Sequence, residues 1–179
     1  VYKRQGIKYM LSNARTAYHI HDHERCVNAA LQLTREICQK NKVNLTPTRE
    51  QVLKLIWQSH RPIGAYQIQD QLARISRKAV APPTVYRALQ FLTKLGLIHK
   101  IPSLNSFIGC PFPNSPQSNL FLICEGCGNI AEVSCSNVDH ILQKTCENAS
   151  FKLNSKNIEL FGLCILCRES KPTQKSAMD

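Results

Sequence analysis

Four cysteines in two identical pairs are the residues of this sequence with the clearest chemistry. The pairs are Cys124-Glu-Gly-Cys127 and Cys164-Ile-Leu-Cys167. Each pair places two thiolates on one tight turn, and two such turns supply the four soft ligands of a tetrahedral zinc site. Because four thiolates leave no position for substrate or water, we expect this zinc to be structural. Buried free thiols and a thioredoxin-like redox pair are the alternatives, but neither pair has the βαβ context of a redox motif.

The charge of the chain is divided unevenly. Residues 1–109 carry 17 Lys and Arg against 5 Asp and Glu, whereas residues 110–179 carry 6 against 7. A basic half indicates a polyanionic partner, most often nucleic acid, with a membrane surface as the competing interpretation. No apolar run is long enough to span a bilayer and no signal peptide is evident, so we expect a cytoplasmic protein with no membrane partner. Nine cysteines in such a reducing compartment favour metal or redox chemistry.

A short helix is predicted within the stretch 82–100, begun by a proline pair and ended by Gly96, with a strand after it. Arg87, Gln90 and Lys94 lie on its polar face. Arg and Gln can pair bidentately with guanine and adenine edges, so this face suits base reading in a major groove. The solvated face of an ordinary amphipathic helix explains the same pattern. The apolar face consists of Val85, Ala88, Leu89, Leu92 and Leu95.

Other elements are predicted to position this helix. A first helix covers 24–40, a second begins at Pro47 with Thr46 as N-cap, and a third covers 65–76. The third helix has an expected buried stripe of Ile68, Leu72 and Ile75, and the segment 61–64 separates it from the second. Two apolar runs, 97–101 and 107–110, predict a hairpin. Helices followed by a hairpin indicate a winged helix-turn-helix.

A Pro- and Ser-rich stretch falls where the charge balance changes, and we place the domain boundary there. Beyond it we expect strands at 120–124 and 130–133, a helix at 137–148 and one or two strands within 151–163. This small α/β unit should need a metal, a partner subunit or both. The fold class is therefore α+β. The predicted divisions are a flexible extension 1–23, a DNA-binding domain 24–110, a hinge 111–118, an α/β domain 119–170 and a tail 171–179.

The remaining histidines and cysteines give weaker signals. His19, His21 and His23 occupy alternate positions and could bind a metal, but a mobile basic arm is the preferred interpretation, and Met10 is an alternative start of the chain. The other residues have no partner spacing, and we interpret the cysteines among them as structural thiols and assign the histidines no role. They are Cys26, Cys38, Cys135, Cys146, His60 and His140.

Several motifs resemble the ferric uptake regulator family, and most of all its zinc uptake regulator branch. In order they are Leu-Thr-Pro-Thr-Arg (45–49), Ala-Tyr (65–66), Pro-Pro-Thr-Val-Tyr-Arg-Ala-Leu (82–89), Gly-Leu-Ile-His-Lys (96–100) and the two cysteine pairs. The resemblance covers about residues 24–169. It implies a homodimeric, metal-loaded repressor that binds an inverted repeat in double-stranded DNA through an N-terminal winged helix and dimerises through a C-terminal α/β domain.

The resemblance also implies roles for individual residues. Tyr66 and Arg87 match positions that contact bases, and we place Thr84, Tyr86 and Gln90 at the same interface. The four cysteines of the two pairs match the structural zinc site of the family.

A regulatory metal site between the two domains is a further implication of the resemblance. His99, Cys110 and Glu132 match three of its ligands, and this mixed nitrogen, sulfur and oxygen set suits Zn²⁺ better than Fe²⁺ or Mg²⁺. The family's fourth ligand, a histidine before the first cysteine pair, has no counterpart between Cys110 and Cys124. Gln117 is nearest by spacing; water, a histidine of the 19–23 arm, or loss of sensing are the alternatives.

We therefore predict a zinc-responsive transcriptional repressor that controls zinc uptake genes. A regulator of the same family that responds to iron, manganese or peroxide, or to no metal, is the alternative. A Cys-x-x-Cys thiol oxidoreductase is a remote one. We do not expect an enzyme, because no nucleophile, base and orienting group are apparent together.

Overall fold

The structure is a computed structural model, and it describes residues 17–18, 23–113 and 119–170. Six helices and six strands occur in these ranges. In chain order they are α1 (His23–Lys40), α2 (Pro47–Ile56), β1 (Ile63–Gly64), α3 (Ala65–Ser76), α4 (Pro82–Lys94), β2 (Ile98–Ile101), β3 (Ser106–Gly109), β4 (Leu120–Cys124), β5 (Ile130–Val133), α5 (Ser136–Asn148), β6 (Ile158–Gly162) and α6 (Ile165–Ser170).

Local signals in the sequence set the ends of α2 and α4. The Thr46 side chain accepts a hydrogen bond from the Arg49 backbone N–H at 3.4 Å, and Pro47 occupies the first helical position, as predicted. Helix α4 begins with its proline pair and gives way to Gly96 at φ 67°, a left-handed conformation that suits glycine. The predicted short helix before a strand is thus confirmed.

Helices α1 to α4 enclose the core of the first half. The apolar face predicted for α4 is buried except for Leu95, which is half-buried. In α3, Ile68 and Leu72 are buried as predicted, but Ile75 is 54% exposed, so its assignment to the buried stripe was wrong. The last turn of α3 lies at the surface beside Val80 and Thr84, and the helix ends there at Ser76, with Arg77 as its C-cap.

The predicted hairpin is present and makes the first half a winged helix. Strands β2 and β3 are antiparallel, with His99 opposite Ile108, and residues 102–104 form a single 3-10 turn between them. Strand β1 pairs with the other edge of β3, so the segment 61–64 contributes to the sheet as well as breaking the helix. The short strand escaped the sequence analysis because two residues carry no alternation to detect.

The second half is a small α/β unit around a three-stranded sheet. Strand β4 lies in the middle, antiparallel to β5 and parallel to β6, in the order β5–β4–β6. The stretch 151–163 forms one strand only, β6, and helix α6 directly after Cys164 was not predicted. The α+β class and the two-part architecture are as predicted.

A mixed apolar core joins the two halves. Ile101 and Ile108 come from the wing, whereas Phe121, Ile123 and Ile130 come from the second sheet, and these five side chains are buried in one cluster. Because apolar burial is the main favourable contribution to such contacts, this core stabilises the placement of the wing against the sheet.

The segment predicted as a flexible extension, 1–23, differs from expectation at its three described residues, of which His23 begins α1. Tyr18 donates a hydrogen bond to the Leu122 carbonyl oxygen at 2.6 Å, and Asn129 donates to the Ala17 carbonyl at 2.8 Å. Residues 17 and 18 therefore pack on the second sheet. The rest of the predicted extension before His23, including Met10, His19 and His21, lies outside the described residues. So do residues 114–118 of the hinge, with Gln117, and the tail 171–179.

Within the described ranges, no helix is both long enough and apolar enough to cross a membrane.

Candidate metal centres and nucleic-acid interface

The two cysteine pairs meet at one end of the second sheet. Cys124 ends β4, its partner Cys127 follows after a tight turn, and Cys164 and Cys167 flank the start of α6. The four Sγ atoms lie within 4.8 Å of one another, with Cys127 and Cys164 3.9 Å apart. Parallel pairing of β4 with β6 brings Cys124 opposite Gly162 and so brings Cys124 close to Cys164, 40 positions later in the chain. Four thiols at this spacing fit a tetrahedral zinc ion.

Backbone amides prepare one of these thiols for ionisation. Burial opposes the charged form of Cys124, but N–H groups of Cys164, Cys127 and Gly126 outweigh it and lower its pKa to about 6. Hydrogen bonding with Cys164 raises the pKa of Cys167 to about 12, because only one of several adjacent thiols ionises easily. A bound cation removes this conflict, since coordinating thiols are deprotonated outright. The electrostatics of the cluster therefore also fit a metal.

Gly126 is needed for the two turns to approach. A Cβ atom at this position would lie 2.7 Å from Cys167 Cβ and 2.8 Å from Cys167 Sγ, closer than van der Waals contact allows. The glycine between the first two cysteines is thus a consequence of the four-thiol arrangement.

A second cluster lies between the two halves. His99 is on β2 of the wing, Cys110 follows β3, and Glu132 is on β5 of the second sheet. Their ligand atoms lie within 4.8 Å of one another, and the side chains of His99 and Glu132 are each only 8% exposed. The structure thus brings together three residues that the sequence separates by up to 33 positions.

The contacts within this second cluster fit a divalent cation. His99 Nε2 lies 3.1 Å from Glu132 Oε2, yet this buried nitrogen has no hydrogen-bond partner of acceptable direction among the described residues. Cys110 Sγ donates to the same carboxylate oxygen at 3.7 Å. Burial and the Glu132 carboxylate raise the pKa of the Cys110 thiol well above its usual range. Imidazole, thiol and carboxylate pointing at a common centre are a ligand set that zinc accepts.

Packing fixes the orientation of the imidazole in this cluster. The His99 ring meets the Phe121 ring edge-on, with centroids 5.3 Å apart and planes at 61°. Phe121 is fully buried and stands opposite Glu132 in the β4–β5 register. The same residue therefore packs against His99 and pairs in register with Glu132.

The five residues predicted to contact DNA are exposed on neighbouring helices. Tyr66, in the first turn of α3, is 76% exposed, and Tyr86 on α4 is 44% exposed. Thr84, Arg87 and Gln90 are also exposed on α4, because its opposite face is buried in the core. Such a helix end and face can enter a major groove.

Arg49, on α2, packs against α4. Its guanidinium lies 3.6 Å from the centroid of the Phe91 ring, which belongs to α4. This cation–π contact ties the first turn of α2 to α4 and helps to set the position of the exposed face.

A third cluster was not predicted from the sequence. His23 and Cys26 on α1 lie with His60, and their ligand atoms are within 4.8 Å of one another. His23 thus meets Cys26 and His60 instead of the His99 cluster. The spacing of His23 and Cys26 by three residues on a helix was a usable signal. Nothing local to His60 indicated that it would join them.

Comparison with known proteins identifies the family of the chain. Residues 40–161 match the model of the ferric uptake regulator family. The zinc uptake regulation protein of Escherichia coli (strain K12) is 37% identical over 135 residues, which make up 75% of this chain and 78% of the relative. A peroxide-responsive repressor of Staphylococcus saprophyticus is 26% identical over 73% of this chain and 86% of its own.

Two solved structures have a similar fold. A zinc uptake regulator complexed with zinc and DNA gives a TM-score of 0.75 at 35% identity and covers 80% of this chain and 95% of its own. Holo XcZur gives a TM-score of 0.72 at 35% identity, with 80% and 99% covered. With a family match over most of its length and such relatives, this chain belongs to the ferric uptake regulator family.

Proposed function

We propose that this chain is a zinc-responsive, sequence-specific DNA-binding repressor that acts as a homodimer on inverted-repeat operators, including those of zinc uptake genes. The observation that carries the proposal is the convergence of His99 and Cys110 from the wing with Glu132 from the second sheet. A metal held there would be shared by the part of the chain that meets DNA and the part that dimerises. The similarity to a zinc uptake regulation protein and to a zinc uptake regulator complexed with zinc and DNA supports the same conclusion.

Dimerisation is proposed from the exposed face of the second unit. Strand β6 is an edge of its sheet, and Leu160 and Phe161 on it are 50% and 51% exposed. An apolar edge of this kind is a liability in a monomer but suits pairing with a second copy about a two-fold axis. Further exposed apolar residues of this unit are Ile141, Phe151, Leu163, Ile165 and Leu166.

The dimer would present two copies of α4 to two half-sites. Lys and Arg of the first half supply the salt-dependent attraction to phosphates, which carries no sequence information. Arg87 and Gln90 supply bidentate donors for base edges, and Tyr66 adds a contact from α3. Half-sites one helical turn apart, or a multiple of it, would match the two-fold symmetry.

The link between zinc and DNA rests on the two halves sharing one cluster. Zinc bound by His99, Cys110 and Glu132 would supply a coordination centre that favours one placement of the wing against the sheet, and such a preference shifts the population toward that placement. The Phe121 side chain packs against the His99 ring in that placement. Gln117 remains a proposed fourth ligand.

The four-cysteine cluster is proposed to hold a structural zinc ion. The α/β unit has a small core, and a metal that joins β4 to the start of α6 would stabilise it. Thiol exchange with a substrate is a poorer interpretation, because Cys124 is only 2% exposed and all four thiols face each other. The relatives are transcription regulators, and we propose no enzymatic activity.

We also propose that the protein acts in the cytoplasm. A DNA target and nine cysteines that form no disulfide in the described part of the chain both agree with that compartment.

DNA binding by a single-arginine variant tests the proposal. An operator is first selected from random duplexes with the zinc-loaded protein, and Arg87→Ala is then compared with wild type. Loss of a bidentate base contact should cost about 1–3 kcal/mol at each half-site, with zinc content and dimerisation unchanged. Arg35→Ala is the matched control, because Arg35 lies on α1 and pairs with Glu50 at 3.0 Å. Unchanged operator affinity of Arg87→Ala would refute the assignment of α4.

A further inference from the structure

The cluster of His23, Cys26 and His60 lies apart from both metal centres described above. His23 and Cys26 are one turn apart at the beginning of α1, so their side chains project from the same face. His60 lies between α2 and β1. All three side chains are partly buried, and their ligand atoms lie within 4.8 Å of one another.

The chemistry of the three groups favours a borderline-soft cation. The two imidazole rings lie nearly parallel, with centroids 4.5 Å apart and planes at 28°. Stacking alone would explain two packed histidines, but it does not explain the thiol of Cys26, whose Sγ lies within 4.8 Å of a nitrogen of each ring. Two imidazoles and a thiolate are three of the four ligands of a tetrahedral zinc site, and water or another oxygen completes such sets.

The surroundings connect the cluster to both halves of the molecule. The His60 carbonyl accepts a hydrogen bond from the Ile130 N–H at 2.9 Å, so the loop that carries His60 is fastened to β5. Cys26 and His60 also line a cavity of about 230 Å³, whose wall includes Cys110 and Glu132. An ion at this cluster would hold the beginning of α1 against that loop, beside the junction of wing and sheet.

We propose that His23, Cys26 and His60 form a third zinc-binding site, distinct from the four-cysteine site and from the cluster of His99, Cys110 and Glu132. The site fastens α1 of the DNA-binding half to the loop 57–62, which contacts the second sheet. Its existence does not depend on the proposed repressor function, because metal binding is measured in the absence of DNA.

Cobalt binding to the full-length chain tests this site. Cys110→Ser removes the thiol of the second cluster, and the four-cysteine site is kept filled with zinc. Any sulfur-to-cobalt charge-transfer band that appears on adding Co²⁺ then comes from a thiolate outside these two sites. We expect one such cobalt ion per subunit. Absence of the band in Cys110→Ser protein would overturn the proposal.

Substitutions within that background identify the ligands. Cys26→Ser should abolish the band, whereas Cys146→Ser is the matched control, because Cys146 on α5 belongs to none of the three clusters. His60→Gln leaves the thiol in place and should weaken cobalt binding at least about tenfold, since even outer-shell partners of metal sites are worth 10–100-fold. Retained structural zinc shows that each variant has folded. A band that survives Cys26→Ser, or cobalt affinity unchanged by His60→Gln, would overturn the proposal.

Discussion

Replacing Phe121 tests whether the mixed apolar core joins wing and sheet. Phe121 is fully buried and packs with side chains from both halves, so Phe121→Ala removes a ring that the surrounding strands cannot fully replace. Substitutions of this kind cost about 3–5 kcal/mol, which is a large share of the stability of about 5–15 kcal/mol that native proteins possess. We expect the free energy of unfolding to fall by about that amount.

The assay is urea unfolding of zinc-loaded protein at one fixed concentration, because metal and dimerisation both contribute to apparent stability. Phe121→Leu keeps most of the apolar volume and should cost about 1–2 kcal/mol. Leu104→Ala is the control, since Leu104 lies in the turn of the wing and is 41% exposed; such surface changes cost about 0.5 kcal/mol or less.

A second measurement connects this core to the metal cluster. Because the Phe121 ring meets the His99 imidazole edge-on, its loss should also weaken zinc binding at the second cluster, by about 10–100-fold on the scale of supporting contacts. Leu104→Ala should leave that affinity unchanged. A stability loss below about 1 kcal/mol for Phe121→Ala, with zinc affinity unchanged, would refute the reasoning that this core positions the site.

Three further predictions follow from local geometry. Burial and Glu132 raise the pKa of the Cys110 thiol, so the thiol is protonated at neutral pH and must lose that proton when it binds zinc. The apparent zinc affinity of the second cluster, measured in competition with a chromophoric chelator, should therefore rise with pH by about tenfold per unit for one proton. An affinity that does not change with pH would contradict this prediction. Gly126→Ala crowds Cys167 and should speed the loss of zinc from the four-cysteine site to a chelator. Gly64→Ala is the control and should not change this rate, because its added Cβ would meet only ordinary contacts, at 3.6 Å and beyond. Equal rates of zinc loss from the two variants would count against the close approach of the two turns. Thr46→Ala removes the cap of α2 and should lower the free energy of unfolding by about 1 kcal/mol, whereas no change in urea midpoint would mean that the cap contributes nothing.

Features encoded by local spacing could be predicted from the sequence. The two prolines and Gly96 define α4 because they act within one or two residues of the helix ends, and the two cysteine pairs indicate their chemistry because each is a single turn of chain. The winged helix followed from the order of such elements. The resemblance to a family supplied His99, Cys110 and Glu132, which no local pattern joins.

Features that depend on the fold of distant segments could not be predicted in this way. His60 joins His23 and Cys26 only because the loop after α2 returns to the beginning of α1, and no periodicity in the sequence encodes that contact. Ile75 has the spacing of a buried residue, but the end of α3 lies at the surface. Ala17 and Tyr18 pack on a sheet whose residues lie about 100 positions later in the sequence.

Operator affinity measured across buffered free zinc, with zinc per subunit determined in the same samples, tests the central claim most directly. We predict that mild chelation removes zinc from the second cluster while the four-cysteine zinc stays, and that operator affinity falls by about 5–150-fold, the usual range of coupling between two sites. Cys110→Ser should shift the curve to higher free zinc. Operator affinity that stays constant while exchangeable zinc is removed would contradict the account, and would describe a regulator of this family that does not respond to zinc.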